Sequence, residues 1–263
     1  YPLDSWFVKA TAKKERMAEL SQKFSENALD ATDKFALYVE KDALDGVPED
    51  VQNTAREAAE KEGKAGYKLT LKMPCYLPVM QFAKSSELRH QLYRAYVTRA
   101  SDQAPAEFAA LDNSAIIQEI LQLREQEAKL LGYQNFAEVS VATKMADSPA
   151  KVIAFLRDLA QRARPYAEKD LADMRQFAED HLGLQNPQAW DWPYIGEKLK
   201  EARYSFSEQE VKQYFTAPKV LQGLFKIIET LFEVNIRADQ APVWHPAVGF
   251  YRIERDGKLI GQF

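Results

Sequence analysis

The chain has 263 residues, 46% hydrophobic and 28% charged, with a formal net charge of −4. Acidic and basic residues are mixed along it, which argues against nucleic-acid binding, since such surfaces carry a basic excess on one face. No apolar run approaches the roughly 18 residues of a membrane span. The single cysteine, Cys75, excludes an internal disulfide and favours a reducing, cytoplasmic compartment.

The sequence begins with two predicted helices. Apolar residues recur every three or four positions from Met17 to Tyr38, which predicts one long amphipathic helix ending at Gly46. A second helix is predicted from Pro48, which suits a first helical turn, to a C-cap at Gly63. This second helix has few large apolar residues, so we expect it on the surface.

A short strand interrupts the helices. Residues 67–73 alternate apolar and polar side chains, the period of a half-buried strand. Pro74 and Pro78 then predict an irregular connector. Helices are expected again over 86–99 and 112–131, with inward-facing apolar residues in each.

The second half is also predicted to be helical. Ser148 and Pro149 form an N-cap and first turn for a long helix that Gly183 closes, and Pro165 should kink it. Residues 186–204 are aromatic and partly helical, and a strongly apolar helix follows over 218–234.

The chain ends in a predicted β-hairpin. Apolar residues on both sides of Asp256-Gly257 are a strong hairpin signal. The fold class is therefore mainly α, a multi-helix lobe with one short strand near 67–73 and a C-terminal hairpin. We expect two parts, a helical segment over 1–147 and a second over 148–263. An apolar strand that stops at Phe263 favours a segment of a longer protein.

Catalytic motifs are missing from the sequence. His90, His181 and His245 are too widely spaced for a local zinc motif. Glu87 and His90 form one Glu-x-x-His pair, but a di-iron bundle needs two, so a solvated pair on a helix surface is the favoured interpretation. No nucleophile elbow, phosphate loop or dinucleotide fingerprint is present, and the expected catalytic and metal residues are none.

The aromatic stretch from Trp190 to Tyr194 leaves two interpretations open. Large rings beside a cleft can grip a ligand. They also fill the joints where helices cross, and this second role is the commoner one.

Several motifs follow one another in order along the chain, at residues 74–80, 96–103, 112–114, 130–133, 143–146, 162–165, 190–191, 194, 197–198, 214–215 and 244–246. Together they resemble the thimet-oligopeptidase family of zinc metallopeptidases. The resemblance covers nearly the whole chain from about Ala18 onward, with departures at Pro193 and Ala247.

The resemblance implies a zinc-dependent endopeptidase that cuts short peptides in a cleft between helical lobes. In that family a His-Glu-x-x-His helix binds zinc and activates water, and the matching position lies beyond Phe263. The resemblance therefore implies that zinc belongs to the full-length protein, that the missing C-terminal catalytic half is a partner, and that this segment is inactive alone. The substrate-binding candidate is the strand edge Leu259, Ile260, Gly261, Gln262 and Phe263, to which a peptide can add.

A second hypothesis, from composition alone, is a free-standing helical scaffold for protein–protein interaction. Under the first hypothesis, an open cleft face leaves apolar surface exposed, so we expect the isolated chain to self-associate.

Overall fold

The computed structural model describes residues 3–205 and 208–263, and its described part is mainly helical. Two compact units are present, Tyr1–Lys200 and Glu201–Phe263. The α-helices are Leu3–Lys34 (α1), Glu49–Lys61 (α2), Met73–Phe82 (α3), Ser86–Val97 (α4), Ser114–Leu130 (α5), Phe136–Val141 (α6), Pro149–Leu182 (α7), Trp192–Tyr204 (α8), Glu208–Lys212 (α9) and Ala217–Phe232 (α10). Short 3-10 helices span Lys41–Leu44 and Ala106–Leu111, and the strands are Leu37–Val39 (β1), Tyr67–Leu69 (β2), Asn235–Ala238 (β3), Tyr251–Arg255 (β4) and Lys258–Gln262 (β5).

The first helix ends earlier than its apolar spacing predicts. α1 stops at Lys34 rather than at Gly46, and Tyr38 lies in β1, which pairs antiparallel with β2. Leu37 and Val39 pack against the core from this strand. The run of aromatic, β-branched and leucine residues therefore gains more from pairing with β2 than from another helical turn.

The prediction of an irregular connector at Pro74 and Pro78 is wrong. β2 is only three residues long, and α3 begins at Met73. Pro74 stands in the first turn of α3, where a missing N–H costs little. Pro78 lies inside the helix, and Val79, Met80 and Phe82 of its last turns are buried. Burial of that apolar end outweighs one lost backbone hydrogen bond.

The core of the unit 1–200 lies among α2, β2, α3 and α4. The surface prediction for α2 holds on most of its circumference, but one side buries Val51, Ala55 and Ala59, four residues apart. Gly46 precedes this helix at φ +88°, and a side chain there would clash with the carbonyl oxygen of Phe82. The fully or nearly buried members of this core are Leu44, Val47, Val51, Ala55, Leu69, Leu71, Val79, Met80, Ala83, Leu88 and Leu92.

The longest late helix, α7, has the predicted ends. The Ser148 hydroxyl accepts the backbone N–H of Lys151, and Gly183 closes the helix in the left-handed conformation at φ +67°. α7 continues through Pro165 as one helix. Phe155, Leu159 and other large apolar side chains of its first half are exposed. No described helix is both long and apolar enough to span a bilayer.

The unit 201–263 contains α10 and a three-stranded antiparallel sheet in the order β3-β4-β5. The predicted hairpin is confirmed as β4 and β5, and Asp256 and Gly257 both have positive φ, as the tight hairpin turn requires. Strand β3, which the sequence pattern does not predict, pairs with β4 from Asn235 to Ala238. At four residues, β3 is too short for a recognisable alternation.

Candidate functional site

The predicted substrate-binding strand is β5, an edge of the sheet within the described residues. Leu259, Ile260 and Phe263 are all more than half exposed. The backbone N–H and C=O of Phe263 pair reciprocally with those of Tyr251 at 3.0 and 2.8 Å. In an antiparallel ladder the next residue points its backbone groups the other way, so Gln262 presents its N–H and C=O to the free edge.

A β-bulge modifies this edge. Ile253 opposes Gly261 and Glu254 opposes Leu259, which leaves Ile260 without an opposite residue. A bulge bends the strand and increases its twist, and bulges are frequent beside active sites and at sheet edges. Regular pairing with an added strand is consequently confined to the stretch beyond the bulge, Gly261 to Phe263.

Side chains hold the end of β5 in place. The Gln262 amide donates to the Asp239 carboxylate at 2.8 Å, and the backbone N–H of Gln240 donates to the same carboxylate at 2.9 Å. These two hydrogen bonds lower the pKa of Asp239, and the bond from Gln262 has the larger effect. The ring of Phe263 stacks on Tyr251 at 5.5 Å. Phe263 therefore also has a packing role in the candidate site.

The aromatic stretch 190–194 fills a joint between helices. The indole N–H of Trp190 donates to the Ser86 hydroxyl at 3.0 Å, and that hydroxyl donates to the Asp191 carboxylate at 2.7 Å. Tyr194 is buried. Its ring centroid lies 4.4 Å from the guanidinium of Arg89. This packing supports the structural interpretation of the aromatic residues.

Asp191 and Arg89 form a buried ion pair that sequence reasoning did not find. Their side chains are 4% and 1% exposed, and Arg89 Nη2 donates to Asp191 Oδ1 at 2.6 Å. Arg89 Nη1 also donates to the carbonyl oxygens of Ala83 and Lys84, so one guanidinium connects the end of α3 to the segment before α8. The partners are 102 residues apart, and local spacing carries no signal for such a pair.

The described residues do not fit a zinc site. The ring of His90 packs at a tilt against Trp190 with centroids 4.1 Å apart, and His181 stacks on Phe177 at 4.6 Å. His245 Nδ1 accepts the backbone N–H of Ala247 at 3.1 Å. Across residues 3–205 and 208–263, no three His, Cys, Asp or Glu side chains come together in a way that could hold a metal ion. Glu87 is exposed and His90 is partly buried, with 3.9 Å between His90 Nδ1 and Glu87 Oε2.

Cys75 also lacks the surroundings of a reactive thiol. Burial raises its pKa, and the backbone N–H of Thr70 lies 3.4 Å from its sulfur. A raised pKa reduces the thiolate fraction at neutral pH, and the thiolate is the nucleophile.

Residues 79–263 match the sequence profile of Peptidase family M3, and the chain belongs to this family. The family resemblance inferred from the ordered motifs is thereby confirmed.

The relatives agree with this assignment. The chain is 42% identical to oligopeptidase A of Escherichia coli over 251 residues, 94% of this chain and 37% of the relative. It is 41% identical over 262 residues to the organellar oligopeptidase A of Arabidopsis thaliana, covering 95% of this chain and 32% of the relative. It is 40% identical over 252 residues to the probable cytosolic oligopeptidase A of Arabidopsis thaliana, covering 91% of this chain and 35% of the relative. The chain thus spans about a third of the length of these relatives, and none of these matches favours the scaffold hypothesis.

Proposed function

We propose that this chain is a non-catalytic part of a zinc-dependent cytoplasmic endopeptidase that hydrolyses short peptides, and that it forms walls of the substrate channel. Membership of Peptidase family M3 supports the peptidase class. The observation that carries the channel-wall role is the free edge of β5, which offers backbone hydrogen bonds at Gln262 to an extended peptide.

The catalytic metal is assigned in this proposal to a part of the enzyme that this chain does not span. When bound, zinc supplies a Lewis acid and an activated water for peptide hydrolysis. The residues described here do not provide its ligands, so their contribution is to bind and orient the peptide.

The first test uses the isolated 263-residue chain. We expect no hydrolysis of a short fluorogenic peptide and less than stoichiometric zinc after dialysis, measured by fluorescence and by elemental analysis. Hydrolysis that a chelator abolishes would overturn the proposal that the chain is non-catalytic.

The second test uses a full-length chimera in which this chain replaces the matching 251 residues of E. coli oligopeptidase A. The substitution Gln262→Pro removes the outward N–H at a position where β4 does not need it. Gln262→Ala is the matched control, since it removes the same bond to Asp239 but keeps the N–H.

We expect Gln262→Pro to raise the KM for a short peptide by about three- to tenfold over Gln262→Ala, the size of one lost hydrogen bond. Equal kinetic constants for the two variants would show that no peptide pairs with this edge.

A further inference from the structure

Helix α10 (Ala217–Phe232) packs one side onto the sheet of its own unit. The ring of Phe225 meets Tyr251 and Phe263 edge-on, with centroids 4.9 and 6.1 Å away. The carboxylate of Glu229 accepts the backbone N–H of Ile236 in β3 at 2.7 Å. This sheet-facing side is defined by Phe225, Ile228 and Glu229, its partly buried members.

The opposite side of α10 is equally apolar but faces solvent. We call it the outer stripe, and its members are 47%, 47%, 59% and 70% exposed in the order Val220, Leu224, Ile227 and Leu231. They follow one another at steps of four, three and four residues, which places them in one line along the helix. A helix that is apolar on both sides is normally buried between two layers.

A groove runs beside the outer stripe. It has a volume of about 400 Å³, and its lining side chains are apolar or aromatic apart from one lysine. Gly223 leaves it open, because a side chain there would meet no atom within 4 Å. Its lining residues are Tyr214, Phe215, Lys219, Val220, Gly223, Leu224 and Ile227.

The charges of α10 favour an acidic partner over a second copy of this chain. Lys219 and Lys226 are seven residues apart and lie on the same flank of the outer stripe. The one acidic side chain of the helix, Glu229, is turned to the sheet. If two copies paired their outer stripes antiparallel about a twofold axis, the lysine flank of one copy would lie beside the lysine flank of the other. Like charges across an interface are unfavourable.

We propose that the outer stripe and its groove are a docking surface for an apolar, acid-flanked ridge in the part of an oligopeptidase A-type chain that this chain does not span. α10 lies within the family match over residues 79–263, and this chain covers only 37% of the E. coli relative. The relative therefore has the additional chain to cover such a surface. This inference rests on the proposed function, since it names the partner region of the same enzyme.

The test compares three substitutions in the E. coli chimera defined above. Leu224→Glu places a charge in the outer stripe, and Gly223→Leu fills the groove while favouring the helix. Gln222→Glu is the matched control, because it adds the same charge at an exposed position outside both the stripe and the groove. Since Leu224 is 47% exposed, none of these changes should unfold the isolated chain.

We expect Leu224→Glu and Gly223→Leu to lower peptidase activity about tenfold or more and to lower the thermal midpoint of the chimera, since a buried unpaired charge or an overfilled groove disrupts docking. Gln222→Glu should match the parent chimera. In the isolated chain, all three variants should keep the helical circular dichroism of the parent.

Two outcomes would overturn the inference. One is a chimera in which Leu224→Glu behaves like Gln222→Glu in both activity and thermal midpoint. The other is an isolated chain whose dimer is lost on Leu224→Glu while the chimera is unaffected, which would assign the stripe to a second copy. A folded but inactive parent chimera would instead contradict the proposed function, and the thermal midpoints would then decide the docking inference alone.

Discussion

The stretches 1–200 and 201–263 bury their apolar residues to very different extents. In the first, eleven buried residues from Leu44 to Leu92 form one contiguous core. In the second, Val234 is the only hydrophobic residue among those described that is buried. The outer stripe of α10 and the edge strand β5 in that second unit remain exposed.

The two units therefore obtain their stability from different sources. The core of 1–200 removes enough apolar surface from water to stabilise the helices that line it, α2, α3 and α4. A unit of 63 residues has a high ratio of surface to volume and buries little without help. We therefore expect the unit 201–263 to gain most of its order from the part of the proposed enzyme that this chain does not span.

The largest effect should come from the buried ion pair of the unit 1–200. Asp191→Ala leaves the Arg89 guanidinium buried without its carboxylate, which should lower the free energy of unfolding by about 3–5 kcal/mol. Asp45→Ala is the matched control, because it breaks the exposed pair of Asp45 and Lys84 at 3.0 Å and should cost about 1 kcal/mol or less. Urea unfolding followed by tryptophan fluorescence measures both variants, and equal losses would contradict the difference in burial.

A second pair of substitutions compares the two units directly. Leu92→Ala opens a cavity in the core, where Leu92 is 0% exposed, and should cost about 2–5 kcal/mol in the free energy of unfolding. Leu224→Ala truncates the exposed outer stripe and should cost about 0.5 kcal/mol or less in the isolated chain. A large loss for Leu224→Ala in urea unfolding would mean that the stripe is already covered there.

The smallest effect concerns pH. Burial is the main cause that raises the pKa of Tyr76 from 10.0 to about 12, with smaller contributions from Tyr96 and Tyr93. Folding thus favours the neutral phenol. Its contribution to stability is complete below about pH 10 and is lost as the pH rises towards 12. Urea midpoints across this range should fall less steeply for Tyr76→Phe than for the parent, and parallel curves would refute the assignment.

The elements that carry strong local signals were predictable from sequence. The ends of α7 are where the sequence places them, because local backbone geometry is imposed by Ser148 with Pro149 at the start and by Gly183 at the end. The β4–β5 turn is likewise fixed by Asp256 and Gly257. The short strands β1 and β3 were not predicted. They depend on distant pairing partners and are too short to show a clear alternation.

The candidate site was predictable to a similar extent. The position of β5 followed from its apolar residues and the turn before it. The bulge at Ile260 depends on the register with β4, which sequence spacing does not reveal. The pairing of Arg89 with Asp191 requires the tertiary fold, as does the burial that makes Pro78 acceptable inside α3.

Hydrogen–deuterium exchange of α10 tests most directly whether the unit 201–263 is completed by another part of the enzyme. The backbone amides of residues 220–231 should exchange quickly in the isolated chain and become strongly protected in the active E. coli chimera, while the amides of α4 should be protected in both. Equal protection of α10 in the isolated chain and in the chimera would contradict the account.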